Sequence, residues 1–140
     1  MLAEIEARLE AEVAALKLVD GAAAFMALRT NPPKSKQPAA YVFPVADKAG
    51  PNALAMAVDQ EVTERYAVAL ALGNFKDRRG ETATQQMETI RDSVRDALLG
   101  WVPEAGKEGC LYAGGRVLDM RDGVVWWQLE FTATYHIRAT

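Results

Sequence analysis

The chain has 140 residues, half of them hydrophobic and a quarter charged, enough for one domain with a real core and too apolar for wholesale disorder. A formal net charge of −3 and a pI near 5.2 argue against a dedicated nucleic-acid binder, which needs a basic face, although a weakly acidic surface suits a protein past which DNA slides. Cys110 is the only cysteine, so no internal disulfide can form. It reads as a small buried hydrophobe in a reducing compartment.

Leu2, Ile5, Leu9, Val13 and Leu16 recur every three or four residues and predict an amphipathic helix of about four turns, with Glu4 and Arg8 on its wet side. The acidic start, with Glu4, Glu6, Glu10 and Glu12, is unlike a signal peptide, and no apolar run approaches a membrane span, so a cytoplasmic protein is expected. Lys17–Val19 reads as a short strand closed by the turn pair Asp20-Gly21, and Ala22–Arg29 as a short helix. Thr30–Pro38, TNPPKSKQP, holds adjacent prolines and the cations Lys34 and Lys36, which predicts an exposed, mobile loop able to order on contact with a partner.

Ala39–Val45 is a predicted strand with Tyr41, Phe43 and Val45 on one face, and Pro44 marks an edge or an end. A loop is expected over Asp47–Asn52, then a long strand from Ala55 to Leu72. Tyr66, Val68, Leu70 and Leu72 line one face of it. Arg65, Ala67, Ala69 and Ala71 make the other flat enough to lie against a helix or a second chain. After the polar connection Gly73–Gly80, Thr82 and Gln85 have capping-box spacing. Ala83, Met87, Ile90, Val94, Ala97, Leu98 and Trp101 then form the apolar stripe of a second helix, stopped by Gly100 and Pro103.

Cys110–Met120 and Val124–Arg138 are predicted strands joined through Arg121-Asp122-Gly123, a strong hairpin signal. The last strand alternates: Val125, Trp127, Leu129, Phe131, Ala133, Tyr135 and Ile137 face the core, while Trp126, Gln128, Glu130, Thr132, Thr134, His136 and Arg138 face away. Such a strand spans roughly 50 Å, against a usual length of about five or six residues. Either it bends, or part of it projects and is covered by another subunit. Trp126 therefore has two open readings: an intersubunit contact, or core on a sheet covered on both sides. Together these patterns predict a single α+β domain over residues 1–140, with a mixed or antiparallel sheet of four to five strands, an N-terminal helix and a second long helix.

Chemistry is sparse. His136 is the only histidine, and neither Ser35 nor Ser93 sits in a nucleophile motif. Ala113-Gly114-Gly115-Arg116 lacks the lysine of a phosphate loop and reads as a bulge or close backbone approach. Asp119, Asp122 and Glu130 lack calcium-loop spacing. No enzyme activity, metal or cofactor is expected. The candidate contact residues are Trp126, Gln128, His136, Arg138, Arg65, Lys34 and Lys36.

The stretches GPNALAMAVDQEVTERYAVALAL at Gly50–Leu72, ALLGWVPEAG at Ala97–Gly106 and CLYAGGRVLDMRDGVVWWQLEFTATYHIR at Cys110–Arg138 resemble the tail terminator-like proteins of tailed phages and prophages. The resemblance runs from about Ala39 onward and is weaker in the first helix. It implies an α+β fold, no activity and no cofactor, and assembly into a ring, commonly a hexamer. That ring caps the tail tube, stops its polymerisation and docks to the head's connector, with DNA passing through the lumen. The partners implied are further copies of the chain, the tail tube protein and the head completion protein; the location implied is the virion tail, assembled in the host bacterial cytoplasm. A head–tail connector or other minor tail protein is the nearest alternative, and a small enzyme or ligand-binding domain the alternative of another class.

Overall fold

A computed structural model describes residues 1–27, 32–73, 81–104, 107–121 and 123–140, with backbone alone for 81–83 and 121. In chain order the elements are α1 (Leu2–Glu12), β1 (Leu18–Gly21), α2 (Ala22–Ala27), a 3₁₀ turn (Lys34–Lys36), β2 (Ala39–Ala49), β3 (Val58–Gly73), α3 (Glu81–Leu98), β4 (Leu111–Arg121) and β5 (Val124–Ala139). Among the described residues the strands form one five-stranded sheet in the order β1-β2-β3-β5-β4. β1 and β2 run parallel and the other neighbours antiparallel, so the sheet is mixed and the α+β expectation holds.

α1 and α3 pack on one face of the sheet. Ile5, Leu9 and Val13 meet Met87, Ile90, Val94 and Leu98 there, above Val42, Tyr66, Val68, Leu70, Leu129 and Phe131. Each such aliphatic side chain contributes about 1.5–3 kcal/mol through burial. α1 is shorter than its periodicity predicts. Val13 has left helical geometry at φ −115° and ψ 81°, because the chain must turn there to lay β1 beside β2. The Lys17 N–H is already taken by the Pro38 carbonyl at 2.8 Å. Asp20 and Gly21 likewise belong to β1 rather than to a turn, paired with Tyr41 and Val42.

α3 begins one residue before the expected cap, Thr82, whose side chain lies outside the described set, as does that of Ala83. It stops as predicted: Gly100 has φ +77°, the left-handed conformation that glycine adopts at helix C-termini. Residues 74–80 of the expected polar connection, residues 28–31 and Asp122 also lie outside the described residues.

The strands run further than their sequence patterns suggest at one end and less far at the other. β2 continues through Asp47, Lys48 and Ala49, which were expected in a loop, because they pair with Glu64, Thr63 and Val62. β3 starts at Val58 rather than Ala55. Pro44 does mark an edge: β1 ends opposite Val42, so Pro44 lacks only a donor that nothing would accept, and the register shifts between Pro44 and Ala46. β4 and β5 are joined where expected, with Arg121 paired to Val124 and Gly123 at φ +74°. The glycine pair is a bulge with close backbone approach. Gly114 has φ +133°, and a Cβ on Gly115 would lie 2.7 Å from the Tyr112 hydroxyl and 2.9 Å from Trp127 Nε1.

Candidate assembly surface

The sheet face opposite α1 and α3 divides into a covered corner and an open plain. α2 covers the corner. Its Phe25 stacks on Phe43 with ring centroids 4.6 Å apart and stands edge-on to Trp126 at 6.0 Å, while Tyr41 lies 5.9 Å from Trp126. Ala69 and Ala71 complete this second apolar cluster, so the flat alanine face receives a helix of its own chain. Trp126 is 6% exposed, in keeping with the reading of a sheet covered on both sides.

The remaining candidate residues separate into three places. Gln128 is buried and donates from Nε2 to Glu130 Oε1 at 3.3 Å, and Arg65 reaches Glu130 Oε2 at 3.5 Å. Further along the same face, Asp59 holds both His136, with Nδ1 to Oδ1 at 2.9 Å, and Arg138, with Nε to Oδ2 at 3.5 Å. The hydrogen bond from His136, helped by Arg138, holds the Asp59 carboxyl below its ordinary range. Between these two sites the Thr63 and Thr134 hydroxyls meet each other across the strands at 3.3 Å. Lys34 and Lys36 lie elsewhere. They sit on the 3₁₀ turn, beside a groove lined by Gln37 and Gly73 at the other end of β3. Hence the structure brings Arg65, Gln128, His136 and Arg138 onto one face and separates the lysines from them.

The far end of this sheet is an arm. From Pro44 in β2, up to Arg65 in β3 and from His136 in β5, most side chains are exposed or half-buried. Its base is braced by Lys107, which pairs with Glu64 at 3.1 Å and lies 4.0 Å from the Tyr135 ring centroid, and by the Glu108 N–H on the Thr134 carbonyl at 2.7 Å. At its tip, the loop between Gly50 and Val58 is organised by one side chain. Asn52 Nδ2 donates to the Leu54 and Ala57 carbonyls at 2.7 and 2.8 Å, and Oδ1 accepts from the Asp59 N–H at 2.8 Å. The loop displays Leu54, 49% exposed, and Met56, 96% exposed.

At the arm's base lies an open groove of about 760 Å³ with Met1, Leu2, Pro44, Val45 and Ala46 along it. Sequence reading allowed for a projecting strand but missed the ordered tip and the groove. The only signal available was the uncharged run from Ala49 to Val58.

The buried Tyr66 hydroxyl donates to Cys110 Sγ at 3.0 Å, and burial pushes both the phenol and the thiol up, so the thiol stays protonated at neutral pH. Among the described residues, no group of three or more His, Cys, Asp or Glu side chains is placed to hold a metal ion, and no helix is long and apolar enough to cross a membrane.

The profile of a family described as phage tail terminator protein matches residues 2–140. The chain belongs to that family. The match includes the N-terminal helix. The structure also shares its fold with a chain from a solved "Virion of native gene transfer agent (GTA) particle". That chain is 16% identical, with a TM-score of 0.60 over 98% of this chain and 95% of the other. No curated protein matches. Membership of the family makes this chain a structural protein of phage tails and places it among virion components.

Proposed function

We propose that the chain caps the completed tail tube as a homo-oligomeric ring, a hexamer by analogy with its family. The ring stops tube polymerisation and presents the surface on which the head's connector docks. The observation that carries this reading is the family match over residues 2–140. The fold supports it in two ways. A head-to-tail ring needs two different surfaces on each subunit. Here the projecting arm, the groove at its base and the β4 edge, with Leu111, Val117 and Met120 exposed, are distinct surfaces from which such a pair can be drawn. A net charge of −3 also suits a ring through which DNA passes without being held. The tube protein and the head completion protein are then the partners, and assembly takes place in the host bacterial cytoplasm.

Deleting the gene from the phage or prophage and imaging the particles tests this. The expected result is tails of uncontrolled length that lack heads. Tails of normal length joined to full heads would overturn it.

A further inference from the structure

The tip of the arm is built like a plug. Exposed apolar side chains on a loop ordinarily cost specificity, yet here the backbone of Leu54, Ala57 and Asp59 is tied to one asparagine while Leu54 and Met56 stay in solvent. Rigidity before contact lowers the entropy lost on contact. The plug is also neutral, since Ala49–Val58 holds no charged residue.

The groove at the arm's base has the matching character. Leu2, Pro44, Val45 and Ala46 give it an apolar stretch, and among the described residues most of the charges along it are paired within the chain, Asp47 being the exception. Lys107 pairs with Glu64 at 3.1 Å and with Glu104 at 3.8 Å, and the N-terminal ammonium lies 3.9 Å from Glu104. Charges paired in this way offer an ionic partner little along most of the rim and favour an uncharged apolar segment against the apolar stretch. The chain's own tip cannot enter. The strands that carry the tip form one wall of the groove, and their ladder continues from Ala46↔Arg65 to Ala49↔Val62, so the tip points away along it.

We infer that the Leu54–Met56 tip of one copy seats in the Met1, Leu2, Pro44–Ala46 groove of the next copy. This contact rests on the ring reading and gives it a subunit interface. It is heterologous, since plug and groove are different surfaces, and repetition of such a contact closes a ring or extends a filament.

Sedimentation velocity from micromolar to millimolar protein tests it, with Leu54→Asp/Met56→Asp as the tip variant and Val45→Asp as the groove variant. Met56 is almost fully exposed and Val45 is 43% exposed, so both variants keep the fold, which circular dichroism verifies. Each variant is expected to raise the self-dissociation constant by roughly 30-fold or more, as for a central contact residue. Mixed together, the two are expected to form dimers and nothing larger, because only one intact plug and one intact groove remain per pair. Met26→Asp, on another exposed methionine, is expected to associate like the parent chain. Four outcomes overturn the contact: a tip variant that assembles normally, an equal loss with Met26→Asp, closed rings from the mixture, or a parent chain monomeric up to millimolar concentration. None of these decides the capping role, which tail length judges separately.

Discussion

Two halves of one strand show what covering a sheet does. In β3, every residue from Tyr66 to Leu72 is at most 4% exposed, with α1 and α3 on one side and α2's aromatic cluster on the other. From Val58 to Arg65 the same strand keeps its full ladder to β5 yet buries only Val62. Backbone pairing is continuous across both halves; side-chain burial is not. The covered half is therefore where stability resides, and the uncovered half, roughly 25 Å of projecting sheet, is free to serve contact with other chains.

That contrast can be broken most directly by truncating a side chain in each half. Phe131 stacks on Tyr66 and is fully buried, so Phe131→Ala is expected to lower the unfolding free energy by about 4 kcal/mol in urea titration. On the same strand Ile137 is 42% exposed, and Ile137→Ala is expected to change it by less than about 1 kcal/mol. Equal losses would show that the arm is covered in the isolated chain.

The next effect concerns the second face. Trp126→Ala is expected to cost the monomer about 3 kcal/mol, because Trp126 is packed among Phe25, Tyr41 and Ala71. A monomer of unchanged stability would return Trp126 to the role of a partner contact.

The smallest effect is electrostatic and belongs to the arm. Asp59 has its folded pKa depressed below the ordinary 3.8, first by the His136 hydrogen bond and then by Arg138. Its contribution is therefore fully present above the unfolded carboxylate range and fades as pH falls through the lower folded value. Asp59→Asn is expected to flatten the acid limb of the thermal midpoint against pH slightly and to leave the midpoint near pH 7 little changed, as for an exposed ion pair. A large drop at pH 7 would mean that this cluster anchors the arm.

Much of the contrast was legible in the residues. YAVALAL at Tyr66–Leu72 carries no charge, whereas VDQEVTER at Val58–Arg65 carries four charged residues in eight, and that shift marks where coverage ends. The strand alternation of β5, the α3 stripe, the Asp-Gly hairpin and the glycine bulge were likewise readable, because period and turn chemistry are local properties. The candidate surface was legible only in part. Alternation correctly put Gln128, His136 and Arg138 on one face, but the loop candidates Lys34 and Lys36 lie apart from them, carried by the fold to the opposite end of β3.

What the sequence determined by itself is the long hairpin strand, its two faces, and the α+β class, together with the resemblance that the family match confirms. What only the tertiary structure decided is which parts of those faces are covered. Trp126 became core because α2 folds across it, and β2 outran its expected end because β3 was there to pair with it. The reason is physical: periodicity tells a residue which way to point, but burial depends on what other segment arrives there, and such encounters leave no local mark in the chain.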